Sequence, residues 1–214
     1  MNTEIYHTIK HRILVFDYQP GQILNEKMLA EEFGVSRTPL RQVLNRLEWD
    51  DLVRILPRTG TMVTQIEFPK MMNAYQVRFE IEALVGKLAA EQITTDHLSR
   101  LAGIHDTCSS LLDSKDKIQL TRLDREFRDL LFEAADNPVL EAISRRLYDL
   151  TQRLWYATLD RGEWTEVVEG FSAELEHTRR AWMAKDPEAA GRTRREHLVS
   201  HFDRIRSKYL SLPQ

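Results

Sequence analysis

The chain has 214 residues, of which 42% are hydrophobic, 29% charged and 8% aromatic, a globular composition that excludes a disordered or fibrous class. Its formal charge of −3 excludes a general attraction to nucleic acid, so any basic footprint has to be local. A single cysteine excludes an internal disulfide, no apolar run reaches the roughly 18 residues of a membrane span, and the start lacks a signal-peptide pattern; a cytoplasmic protein is expected.

Taken in chain order, Ile5, Ile9, Ile13 and Phe16 recur at helical spacing and predict a first helix over about residues 3–17. Asn25 can cap a short helix that runs to Phe33, where Gly34 is a natural stop. Ser36 stands where it can cap a third helix, in which Leu40, Val43, Leu44 and Leu47 form one apolar stripe. Two β-prone runs follow, Leu52–Leu56 and Thr61–Gln65, joined through Pro57-Arg58-Thr59-Gly60. Three helices and a hairpin make a winged helix-turn-helix over residues 1–66.

The stretch Ile66-Glu67-Phe68-Pro69 reads as the linker, because Pro69 can open a helix but not sit inside one. From there residues 67–214 read as helices, at about 69–93, 96–113, 116–135, 138–160, 164–184 and 187–210. Thr95, Asn137-Pro138, Gly162 and Asp186-Pro187-Glu188 mark the breaks. The expected fold is therefore mainly α: an N-terminal winged helix and a C-terminal all-helical bundle. Few glycines and prolines argue against a sandwich or barrel, and Trp155 and Trp182 are candidates for a dimer interface or, in preference, for core burial.

The third helix carries the clearest chemistry. Arg37, Arg41 and Asn45 lie at i, i+4, i+8 with Thr38 alongside, opposite the leucine stripe. Such guanidinium groups can reach guanine O6 and N7 in a major groove or clamp phosphates. Ser36 and the backbone N–H groups of the helix start suit a phosphate oxygen, and Arg58 at the wing tip suits a minor groove or the backbone. A merely solvated face is the competing reading, since residues 1–66 hold eight basic and eight acidic residues. Segregation favours DNA: Glu48, Asp50 and Asp51 lie past the helix.

The run LAEEFGVSRTPLRQVLNRLEWDDLVRILPRTGTMV resembles the DNA-binding domain of the GntR family of bacterial transcriptional regulators, with small departures at Leu40 and Gln42-Val43. The resemblance spans about residues 20–64 and implies DNA contacts at Lys27, Arg37, Thr38, Arg41 and Gly60 of a double-stranded operator. Further on, Arg78-x-x-x-Glu82, LAAEQ at 88–92, LDREF at 123–127, ADNPVL at 135–140 and KDPEAA at 185–190 resemble the FCD effector domain, in its six-helix VanR-like variant. This implies a homodimer, a repressor in most members, whose bundle binds a small organic acid and alters DNA binding.

Many members of that branch hold a divalent metal through one aspartate and three histidines. Asp124 and His197 match two of these positions; Arg128 and Leu175 stand at the others, with His177 two residues beyond Leu175 and turned by about 200°. Arginine does not coordinate metals, so no cofactor is expected. Three readings of Asp124 and Arg128 stay open: an ordinary i, i+4 pair; Arg128 as the anchor for a carboxylate effector, helped by His197; or a rebuilt metal site of Asp124 and His197 with His201 or His177. Arg78 is a further effector candidate, or a partner for Glu82 in its own helix. No phosphate loop, Gly-x-Ser-x-Gly or His-Glu-x-x-His pattern points to an enzyme, and Cys108 in CSSLL reads as a buried thiol.

Overall fold

The apolar periods of the chain close into two separate cores in the computed structural model, which describes residues 2–159 and 163–210. One unit holds residues 1–72 with 148–156; the other holds residues 73–147 and the chain from 157 onward.

In the first unit, α1 (Asn2–Leu14), α2 (Glu26–Glu32) and α3 (Arg37–Trp49) surround a core of Ile5, Ile9, Ile13, Leu29, Leu40, Leu44 and Leu47. α1 is shorter than its periodicity suggested, since Phe16 adopts a left-handed backbone (φ 64°) and ends the run. Asn25 caps α2 as expected, accepting from the N–H groups of Lys27 and Met28. Ser36 occupies the N-cap position of α3, but its side chain makes no cap hydrogen bond.

β2 (Val53–Leu56) and β3 (Gly60–Val63) form the wing hairpin, Leu56 opposite Gly60. A strand that periodicity is too short to announce, β1 (Ile23–Leu24), pairs with β3 and completes the antiparallel order β1-β3-β2. The turn places Arg58 at φ 64°. Gly60, at φ 132°, passes so close to β1 that a Cβ would lie 2.8 Å from the Leu24 carbonyl oxygen. Backbone fit alone therefore requires glycine there.

Residues 148–156, from α8 (Pro138–Thr158), belong to this unit. Asp149 forms an ion pair with Lys10. Arg153, 3% exposed, donates to the Thr64 hydroxyl (2.8 Å) and carbonyl (2.5 Å). Among the described residues its partners are neutral, and burial pushes the Arg153 guanidinium down to about 10.

The second unit is helical: α4 (Phe68–Glu91), α5 (Thr95–Ser109), α6 (Leu111–Ser114), α7 (Lys117–Ala135), the N-terminal part of α8, α9 (Trp164–Met183) and α10 (Pro187–Leu210). Thr94, not Thr95, caps α5, in a reciprocal box with His97. The helix expected over 96–113 breaks at Ser110. There the Thr107 and Ser110 hydroxyls bond back to the carbonyls of Gly103 (2.8 Å) and Thr107 (2.7 Å), competing with the helical ladder. Asn137 and Asp186 cap α8 and α10 by accepting the N–H groups of Leu140 and Ala189. Gly162 lies outside the described residues.

Trp182 and Cys108 are buried, and burial pushes the thiol up to about 11; Trp155, expected in the bundle core, is buried but belongs to the first unit. α4 and α10 approach closely through Gly86 and Gly191: a Cβ on either would meet a carbonyl of the other helix, Ala190 at 2.8 Å or Ala83 at 2.9 Å. That approach lets a short acid on α4 reach an arginine on α10.

Candidate DNA-contact face and effector site

The leucine stripe of α3 fixes which of its polar side chains face outward. Leu40, Val43, Leu44 and Leu47 are buried, so Arg37, Thr38, Arg41 and Asn45 emerge together on the exposed face, with Ser36 just before them. Arg46, the third arginine of the helix, is drawn aside: its guanidinium stacks 3.8 Å from the Tyr6 ring centroid. Tyr6 in turn donates to Asp50 (2.5 Å); burial and Asp50 raise its phenol above the ordinary range. Gln42 is engaged on the α1 side by Asn2 (3.2 Å).

Lys27 is exposed on α2, 3.8 Å from Glu31, a pairing weak enough to yield to a phosphate. Arg58 is exposed at the wing tip, while Gly60 contributes its backbone shape at the strand start. Among the described residues Arg41 differs from Arg37 in having a protein partner. Its Nε lies 3.3 Å from the Glu26 carboxylate, which also accepts the Thr61 hydroxyl at 3.3 Å. Glu26 gave no signal in the sequence beyond an acidic first turn.

In the bundle, four helices bring charged groups, and a fifth a hydroxyl, to one buried point. Glu82 of α4, fully buried, accepts from Arg78 (3.4 Å) in its own helix, Arg128 of α7 (3.1 Å) and the Ser144 hydroxyl of α8 (2.9 Å). Its other oxygen accepts from Arg194 of α10 (2.7 Å). Arg194 also pairs with Glu174 of α9, and the Nε of Arg128 with Asp124 (3.2 Å). Burial alone would raise the Glu82 carboxyl; Arg128, Arg194 and Arg78 outweigh it and hold it far below the usual carboxylate range. Arg78 and Arg194 lie over the rings of Tyr75 and Phe127, at 5.4 and 5.2 Å.

The structure thus brings Arg78, Asp124 and Arg128 together and adds Glu82, Ser144, Glu174 and Arg194. The Arg78–Glu82 spacing suggested a pair within one helix; only the fold reveals that the same carboxylate serves three arginines. Asp124, Arg128 and Glu174 are the more accessible members, their side chains 13%, 8% and 15% exposed against 1% for Glu82 and Arg194.

His197 is placed differently from the expectation of a donor beside Arg128. Its Nε2 lies 2.9 Å from Nδ1 of His177, an exposed residue on α9. The helical turn explains this. Arg194 and His201, seven residues apart, share a face of α10, whereas His197 lies about 60° from Arg194 and about 40° from His201, and meets His177 of α9. Both histidines feel the cluster: desolvation, with Arg204, Arg78 and Arg128, lowers the His201 pKa well below the ordinary value against Asp124, and desolvation, with His177 and Arg194, lowers that of His197 against Glu174.

Leu175 is fully buried. Among the described residues no group of three or more His, Cys, Asp or Glu side chains is arranged to hold a metal ion. The donor set does not fit a resident divalent metal, because a guanidinium occupies Asp124 and the His197 ring is engaged by His177.

Comparison with known proteins matches residues 1–63 to the gntR family of bacterial regulatory proteins and residues 73–200 to the FCD domain. The HTH-type transcriptional regulator McbR of Escherichia coli is 24% identical over 88% of this chain and 85% of its own length. The HTH-type transcriptional repressor RspR of E. coli is 28% identical over 75% and 70%. An uncharacterized HTH-type regulator of Bacillus subtilis, YdhC, is 27% identical over 69% of this chain and 66% of its own. The solved structure of E. coli McbR/YncC superposes with a TM-score of 0.86 at 22% identity, covering 97% and 98% of the two chains, a likeness of fold.

Proposed function

This chain belongs to the gntR family of bacterial regulatory proteins and carries the FCD domain, and from that premise we propose a homodimeric repressor released from its operator by a small organic acid. Its class is settled by the family: it is a DNA-binding transcriptional regulator, not an enzyme. Among the described residues no helix is long and apolar enough to cross a membrane.

The observation that carries the DNA reading is the separation of faces on α3, leucines buried beneath and Arg37, Thr38 and Arg41 exposed above. These three, with Ser36, meet the major groove and its phosphates; Lys27 adds a phosphate contact and Arg58 brings the wing to the duplex. One winged helix offers a small contact area, so two copies on a pseudo-palindromic site multiply the affinity.

The effector reading is supported by the buried arginines around Glu82. An incoming carboxylate meets their accessible edge, displaces Asp124 from the Nε edge of Arg128 and forms a bidentate pair there. Arg78 stands behind it. His201, rather than His197, lies on the α10 face that the acid approaches. The positive charge is the protein's own, and no metal is needed.

The test is anisotropy with labelled duplexes from upstream of the chain's own gene, read with and without a panel of organic acids. Light scattering should give about 50 kDa, twice the 25.1 kDa chain. Tight binding to one duplex, released by one acid class and unaffected by chelator, is expected. Failure of every duplex to bind above scrambled DNA, or release that vanishes with chelator, contradicts this reading.

A further inference from the structure

We infer that Glu26 is a specificity-determining positioning residue: its carboxylate holds the Nε edge of Arg41 so that the terminal fork of the guanidinium points outward, set to read a base. This rests on the proposal that α3 reads DNA.

A guanidinium offers two bidentate edges, one formed by Nε with a terminal amino group and one by the two terminal amino groups. Glu26 Oε2 takes the Nε of Arg41 at 3.3 Å. Among the described residues the terminal amino groups of Arg41 have no protein partner, and the side chain is 67% exposed. The edge left over is the one that matches guanine O6 and N7.

Glu26 is itself fixed. It opens α2, its side chain is only 18% exposed, and its second oxygen accepts the hydroxyl of Thr61, a fully buried residue of β3. One carboxylate therefore ties together α2, the wing strand and a side chain of α3. Arg37, one turn earlier on the same face, has no such partner among the described residues.

A carboxylate beside a DNA-binding face opposes phosphates, so its effect on generic DNA affinity is unfavourable. Its return comes from ordering: an arginine side chain loses rotamer freedom on binding, and a pre-oriented one loses less. The two effects have opposite signs on cognate and non-cognate DNA, which separates this role from a structural one.

The experiment measures binding of wild type, Glu26→Ala, Glu26→Gln, Arg41→Ala and the Glu26→Ala/Arg41→Ala double variant at one salt concentration. The probes are a duplex selected from a random pool by the wild-type chain and a scrambled duplex. Glu26→Ala should weaken the selected duplex about tenfold while scrambled binding stays level or tightens. Glu26→Gln, which still offers an oxygen to Nε, should fall between. In the Arg41→Ala background the alanine at 26 should change selected binding less than about twofold.

An undiminished loss in that background, equal loss on both duplexes, or tighter binding to the selected duplex overturns the inference. Arg41→Ala leaving selected binding unchanged instead refutes the DNA reading beneath it, and the inference with it.

Discussion

In the winged helix, Arg37, Arg41 and Arg58 stand at the surface on a scaffold of buried apolar side chains; in the bundle, Arg78, Arg128 and Arg194 are buried and each is paired with a carboxylate. The difference follows from solvation. An exposed guanidinium is stabilised by water and can exchange that water for a phosphate or base edge at modest loss. A buried one has no water to fall back on, so the fold itself must bring the anion. Surface arginines are therefore open to an outside partner directly, whereas those of the bundle are held by Glu82, Asp124 and Glu174, so an outside acid has to displace one of these carboxylates. Arg153 lies between the two cases, buried against neutral oxygens of Thr64.

The largest expected effect breaks the buried side of this comparison. Glu82→Ala leaves three guanidinium groups around an empty carboxylate position and should destabilise the protein by about 3–5 kcal/mol in urea unfolding. Arg37→Ala, on the exposed side, should change stability by no more than about 0.5 kcal/mol. Equal stability of the two variants would mean that the Glu82 network is not what holds these helices together.

The next effect reverses the ranking. Arg37→Ala and Arg41→Ala should each lose about 1–3 kcal/mol of operator affinity, if each reads a base bidentately. Operator binding unchanged by both together would remove α3 from the groove. Lys27→Ala is the smallest: a near-uniform weakening on all sequences, with the salt slope flatter by about one ion. A sequence-dependent loss at Lys27 would make it a base reader instead.

Much of this was legible because it is local. The stripe of Leu40, Val43, Leu44 and Leu47 defines α3, and it defines by subtraction the face of Arg37 and Arg41. Caps at Asn25, Asn137 and Asp186 announce themselves because each side chain bonds a backbone N–H two or three residues ahead. β1 was hidden because two residues carry no period. The break at Ser110, where hydroxyls bond back to helix carbonyls, leaves the apolar periodicity unchanged and so gave no signal.

The bundle site was legible only in its i, i+4 parts, Arg78–Glu82 and Asp124–Arg128. Arg194 reaches Glu82 across 112 positions of sequence, and no spacing rule connects them. His197 and His201 were separable only once Arg194 fixed the inward face of α10. Glu26 was hidden for the same reason, being tied to Arg41 and Thr61 through space.

The most direct test of the claim that an outside acid can take the Asp124 edge of Arg128 is one titration. Labelled operator, bound by wild type and by Arg128→Lys, is followed by anisotropy as the inducing acid is added. Lysine keeps the charge opposite Glu82 and removes the bidentate edge. Both proteins should start with the same operator affinity; wild type should release the DNA as the acid rises, and Arg128→Lys should hold it. Equal release by the two proteins, or an Arg128→Lys protein that binds the operator poorly before any acid is added, would contradict the account.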